Sequence, residues 1–152
     1  MMVNHELANP GSIYFHKDRE GKLVAGPIWD FDWGTLGYNC SPQAKGKLFM
    51  TQAIWYSRLT NDPDFREMAR KRWAVLKPRF ITIEQNFDIY YKYLEVSANL
   101  NFNMWNPADD ASQNCGRIIN GDENMTFKEA VNYAKSVFAE RIAAIDSKLA
   151  TW

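Results

Sequence analysis

Between Thr126 and Leu149 the apolar residues Phe127, Val131, Ala134, Phe138, Ile142, Ile145 and Leu149 recur at three- and four-residue steps. A row with that period is buried as one face of an α-helix, because 3.6 residues per turn bring each member back to the same side. Thr126 and Glu129 stand at the spacing of a capping box, in which each side chain satisfies a backbone donor of the first turn. The pattern predicts a helix from about Phe127 to Leu149, and its residues read as core.

The rest of the chain is organised around that segment. Asp62 followed by Pro63 marks a second helix start, since an aspartate caps well and proline's missing donor is harmless at the first helical position. Phe65, Met68, Ala69, Trp73 and Leu76 then repeat at helical spacing, and Pro78 is expected to stop the helix. A further helix is expected from Ile83 to about Ala98. Phe87, Tyr90, Tyr91, Tyr93 and Leu94 make more than one apolar stripe on it, which predicts a central helix buried on more than one face. A shorter helical pattern begins near Met50, with Ile54, Trp55, Arg58 and Leu59 on one face.

From Ser12 to Asp32 the pattern is that of a β-hairpin. Ile13, Tyr14 and Phe15 on one side and Leu23 and Val24 on the other flank the turn Asp18-Arg19-Glu20-Gly21, with Gly21 expected at the left-handed position. Pro27 has no donor for a ladder, so Ile28 to Trp33 reads as an edge strand or extended loop. Gly34 to Gly46 is a connection, and Asn99 to Met125 a long surface excursion pinned by Met104, Trp105, Ile118 and Ile119. The expected fold is α+β and predominantly helical. It is one domain over residues 1–152, with a hairpin and acidic motif in 1–35 packed on about four helices in 50–152.

Composition bounds the function. Eighteen basic residues balance eighteen acidic ones, so the chain lacks the basic excess that draws a protein to nucleic acid. No apolar run is long enough to insert in a membrane, and the first residues lack the pattern of a signal peptide. Cys40 and Cys115 are either two thiols or one disulfide, and His5 and His16 have no partners at metal-ligand spacing.

The segment with chemical content is Pro27-Ile28-Trp29-Asp30-Phe31-Asp32-Trp33-Gly34. In extended backbone Trp29, Phe31 and Trp33 point to one face, and Asp30 and Asp32 to the other. Carboxylates two residues apart on a strand originate about 6–7 Å from each other. Their oxygens can converge on one hard cation, Mg2+ or Mn2+, while phosphate and water complete its shell. The competing role for the two aspartates is to cap the next turn or to pair with Arg58 or Lys17.

Asn4-His5-Glu6, Pro10-Gly11-Ser12-Ile13-Tyr14, Lys17-Asp18, Gly21-Lys22-Leu23 and Gly26-Pro27-Ile28-Trp29-Asp30-Phe31-Asp32-Trp33 together resemble the spore-coat CotH kinase-like family, in its secreted Bacteroidetes version. The resemblance is strong over about Asn4 to Thr35 and weaker through Trp55-Tyr56, Asp62-Pro63 and Phe65. It implies a protein-kinase-like fold that uses ATP and a divalent metal to phosphorylate serine on a protein substrate, in an extracytoplasmic setting. It implies metal binding by Asp30 and Asp32, catalytic-base work by Glu6 and a substrate-side place for Asn4. Glu6 departs from the family's aspartate by one methylene, a displacement to which catalytic geometry is sensitive. The family domain extends upstream into nucleotide-cradling strands, so the resemblance covers only its carboxyl-terminal part. The expectation is a polypeptide that binds ATP poorly and is inactive alone, with ATP and Mg2+ or Mn2+ serving only in the full-length context, and whose uncovered hairpin surface favours self-association.

Two other readings use the same residues. An Asp-x-Asp pair also serves nucleotide-sugar transfer, where a metal bridges the diphosphate. Alternatively the chain is a carbohydrate- or protein-binding module without catalysis. Trp105 in Asn103-Met104-Trp105-Asn106 would then be its recognition platform, unless that ring merely anchors the long loop.

Overall fold

The computed structural model describes residues 13–27, 29, 48, 51, 53–105 and 125–152. They form two strands, β1 (Phe15–His16) and β2 (Val24–Ala25), and three helices, α1 (Tyr56–Leu59), α2 (Pro63–Met104) and α3 (Phe127–Ala150). The fold is α+β and predominantly helical, with the hairpin at the amino-terminal end.

In the hairpin Phe15 lies opposite Ala25 and His16 opposite Val24, in antiparallel register. Gly21 N–H donates to the Asp18 carbonyl at 3.0 Å and closes the turn. Gly21 is not the left-handed residue; a Cβ there would meet the Asp18 Cβ at 3.2 Å, so its smallness serves close approach. The positive φ, 143°, belongs to Gly26, whose N–H donates to the Tyr14 carbonyl at 2.9 Å and closes the ladder ahead of Pro27. The Phe15 ring meets Trp55 edge-on, with centroids 5.7 Å apart, and ties the hairpin to the residue before α1.

α2 starts where its sequence says. Asp62 is extended, and its Oδ1 accepts from the N–H groups of Asp64 at 2.8 Å and Phe65 at 3.1 Å, with Pro63 opening the helix. It does not stop at Pro78. The two helices expected on either side of that proline are one helix of 42 residues, about 63 Å long at 1.5 Å per residue. It also takes in Asn99 to Met104, which were expected in a loop.

A proline inside a helix removes one hydrogen bond and crowds the carbonyl four residues back, a cost of about 3 kcal/mol. Contacts on both sides of Pro78 offset it. Trp73 and Phe80 stack across it at 5.6 Å, and the Thr82 hydroxyl donates to the Pro78 carbonyl at 3.1 Å. Trp73 Nε1 donates to Asp146 Oδ1 at 3.1 Å, and Lys77 pairs with Asp146 at 2.8 Å. Further along, Phe87 packs on Phe138 at 5.6 Å and Lys135 pairs with Asp88 at 2.8 Å. α3 therefore splints α2 on both sides of the proline.

α3 carries the expected capping box. The Glu129 carboxylate accepts from the Thr126 N–H and hydroxyl, each at 2.8 Å, and Glu129 N–H donates to Thr126 Oγ1 at 3.3 Å. Phe138, Ile142, Ile145 and Leu149 of the predicted row are buried, joined by Val137 and Arg141. Leu48, Ile145 and Leu149 cluster beneath Trp73 and Trp152. α2 contributes no fully buried residue, so the expected central helix is instead half-buried on one face and exposed on the other. Among the described residues no helix is long and apolar enough to cross a membrane.

Two measurements check these assignments. Pro78→Ala restores the missing donor, and urea denaturation should show a gain of up to about 3 kcal/mol. Thr126→Ala should lose about 1 kcal/mol near neutral pH. The Thr126 backbone hydrogen bond, followed by that of its hydroxyl, holds the Glu129 carboxyl below its ordinary value. A depressed carboxylate stabilises the fold above its unfolded-state pKa and loses that contribution as pH falls through the lowered value. Thr126→Ala keeps the backbone donor and removes the hydroxyl, so only the part of the difference carried by the hydroxyl's bond to Glu129 should shrink on acidification through that range.

Candidate functional site

The hairpin delivers the chain toward the acidic motif. β2 ends at Ala25, Gly26 closes the ladder, and four residues beyond β2 the Trp29 ring sits edge-on to Tyr14, with centroids 5.2 Å apart at 72°. Trp29 is thus held by a ring from the opposite side of the hairpin. The aromatic half of the alternating motif begins from an anchored position.

Asp30, Asp32, Asn4 and Glu6 lie outside the described residues, as do Phe31, Trp33, Cys40, Cys115, Ile118 and Ile119. Among the described residues no three His, Cys, Asp or Glu side chains gather into a group able to hold a metal ion. The donor chemistry of an Asp-x-Asp pair, two hard carboxylates, fits Mg2+ or Mn2+. Lys17, one of the alternative partners for the aspartates, directs its Nζ to the Arg19 carbonyl at 3.4 Å.

Two concave surfaces lie elsewhere. Between α2 and α3 a groove of about 400 Å³ is lined by Ile83, Phe87, Tyr91, Leu94, Phe127 and Val131, together with Asn86 and Tyr90. Its floor is aromatic: Tyr91 stacks on Phe127 at 5.5 Å, and Phe102 meets the same ring edge-on at 6.3 Å. The Tyr91 hydroxyl donates to Glu95 Oε1, and that bond, with smaller contributions from desolvation and the Glu95 charge, raises the phenol's pKa. Tyr91 therefore stays a neutral phenol under ordinary conditions, and the groove suits apolar or aromatic groups rather than proton transfer.

The second surface, about 370 Å³, is lined by Thr51, Ser57, Thr60, Asn61, Arg66, Lys148 and Trp152. Its hydroxyls already donate to backbone: Thr51 to Leu48, Ser57 to Ile54 and Thr60 to Ser57. Arg66 Nε donates to the Thr60 carbonyl, and the guanidinium lies 5.9 Å from the Trp152 ring centre. The hydroxyls of this pocket are thus engaged by backbone carbonyls.

Two titratable groups act as structural pins. Hydrogen bonds from Lys77 and then Trp73 hold Asp146 below the ordinary carboxylate range, which keeps it charged at the α2–α3 contact. Burial draws the Arg141 guanidinium pKa down. The sequence missed Arg141, because a charged residue one step before Ile142 reads as the solvent side of the row; its position beside the apolar stripe was the available signal. It missed the groove for a different reason. The aromatics of 83–94 were read as buried, and a groove is the intermediate case.

Trp105 caps the end of α2 by donating its N–H to the Asn101 carbonyl. Its side chain is 71% exposed and Met104 is 73% exposed, so neither ring nor thioether is pinned to the helices as the loop reading expected. Comparison with protein-family models, with curated proteins and with solved structures finds no match.

Because so little of Trp105 is buried, Trp105→Ala should change stability by no more than about 0.5 kcal/mol in urea denaturation. A loss above about 1.5 kcal/mol would restore the anchoring role.

Proposed function

We propose that this chain carries the metal-carboxylate part of an ATP- and metal-dependent kinase-like phosphotransferase acting on serine of a protein substrate, in an extracytoplasmic setting. The observation that carries the reading is the hairpin with Trp29 held against Tyr14 one residue before Asp30. A metal that positions a phosphate must itself be positioned, and phosphoryl transfer depends mainly on alignment and charge neutralisation. An aromatic anchor beside the acidic pair meets that requirement. The resemblance of Asn4 to Thr35 to the CotH kinase-like family supports the same reading.

On this proposal Asp30 and Asp32 hold Mg2+ or Mn2+, and the bound metal supplies charge neutralisation at the phosphates of ATP. Glu6 stands nearest in sequence to the family's base and Asn4 to its substrate side. The added methylene of Glu6 makes it the part of the assignment most sensitive to geometry.

A second reading is favoured by one observation, the exposure of Trp105 at the end of α2. An exposed indole beside asparagines suits stacking on a sugar ring or a protein surface, with no catalysis. The groove between α2 and α3 does not distinguish the two, since apolar concavities serve either.

Calorimetric titration of Mn2+ separates them. The kinase-like reading expects binding that weakens at least about tenfold in Asp30→Ala or Asp32→Ala, with the helical circular dichroism unchanged. Absence of metal binding in the parent chain, together with Trp105-dependent retention on a glycan array, would replace it with the recognition reading. A rise in melting temperature with nucleotide sugars and Mn2+ that exceeds any rise with ATP and Mn2+ would point to sugar transfer.

A further inference from the structure

The second half of α2 has two apolar faces, and only one of them is covered by α3. The covered face runs through Trp73, Lys77, Phe80, Phe87, Tyr91 and Phe102, each in contact with α3, its capping region or a neighbour in the same row. Ile89, Tyr93, Val96, Leu100 and Met104 form the other face, and they are 60–83% exposed. Ile89, Tyr93 and Met104 each follow a residue of the covered row by two positions, and Leu100 precedes one by two. Two positions on an α-helix are about 200° of rotation, which puts this seam on the far side from α3.

Three features point to what covers the seam. The steps from Ile89 to Tyr93, Val96 and Leu100 are four, three and four residues, the alternation of a seam that packs against another helix. Residues 89–104 hold only two charged side chains, Lys92 and Glu95, although 24% of the whole chain is charged. Of the aromatic and sulfur-bearing residues there, Tyr93 and Met104 lie on the seam itself, 83% and 73% exposed. Depletion of charge with enrichment of tyrosine, phenylalanine and methionine marks the core of a protein interface. With Trp105, the seam offers on the order of 600–800 Å² of apolar surface, against about 800 Å² per partner in an interface of standard size.

We propose that the partner is a second copy of this chain, docked antiparallel along the seam of α2. A two-fold axis beside Leu94 and Glu95 sets Tyr93 against Val96 of the other copy and Leu100 against Ile89 of the other copy, twice each by symmetry. In every layer a side chain unbranched at Cβ meets a β-branched one. The same register puts Lys92 opposite Ser97 and Glu95 opposite Leu94, so no like charges face one another. The interface is distinct from the surface of the hairpin strands.

Sedimentation equilibrium of the full chain from about 1 to 100 μM, the range of ordinary protein associations, tests the proposal. The expected result is a monomer–dimer equilibrium whose dissociation constant rises at least tenfold in Val96→Lys and in Tyr93→Glu. Because those side chains are exposed, helical circular dichroism of both variants should match the parent. Met68→Lys, on the same helix before Pro78, and Val24→Lys, on the hairpin, should leave the constant unchanged. A monomer throughout the range would overturn the proposal. So would a dimer indifferent to Val96→Lys and Tyr93→Glu, or one that dissociates in Val24→Lys alone.

Discussion

The pairing of α2 with α3 is the contact on which the described structure depends. A helix interrupted by proline has no intrinsic reason to continue for 42 residues, and isolated helices draw most of their stability from packing in any case. Here Asp146 on α3 receives both Trp73 Nε1 and Lys77 Nζ on the amino-terminal side of Pro78. Phe138 and Lys135 engage Phe87 and Asp88 on the other side. Contacts from one neighbouring helix reach both sides of Pro78, and the proline becomes a local cost instead of a boundary.

Much of this was legible in the sequence, and what was not has identifiable causes. α3 and its capping box follow directly from a clean period and two residues at fixed spacing, both local signals. Asp62 and Pro63 mark the start of α2 for the same reason. Pro78 misled because proline's local preference against a helix interior was outweighed by tertiary contacts with residues more than fifty positions away, such as Lys135 and Asp146. The extra turns from Asn99 to Met104 were hidden by their asparagines, which favour turns in isolation. In the hairpin the turn from Asp18 to Gly21 was readable. The left-handed glycine was misassigned: the positive φ belongs to Gly26, just after β2, and not to Gly21 in the turn.

The candidate chemistry was legible as pattern more than as geometry. Alternation of aromatics and aspartates from Trp29 to Trp33 defines two faces by itself. The ring contact between Tyr14 and Trp29 is what ties the start of that segment to the hairpin. Trp105 was open between anchor and platform in the sequence because one residue type serves both, and its exposure favours the platform. The aromatics of α2 were read as more than one stripe, buried on more than one face. Phe87 and Tyr91 do meet α3, whereas Tyr93 lies on the exposed seam from Ile89 to Met104.

A helix that is apolar on opposite faces is most stable when both are covered, and in the proposed dimer the second half of α2 is ordered by α3 on one side and by another copy on the other. Native-state hydrogen exchange, followed by mass spectrometry at low and high protein concentration, reads that directly. Amides of residues 87–102 should be protected to the same order as those of α3, and their protection alone should rise with concentration. Exchange of 87–102 at near-unprotected rates while α3 remains protected, with no dependence on concentration, would contradict the account.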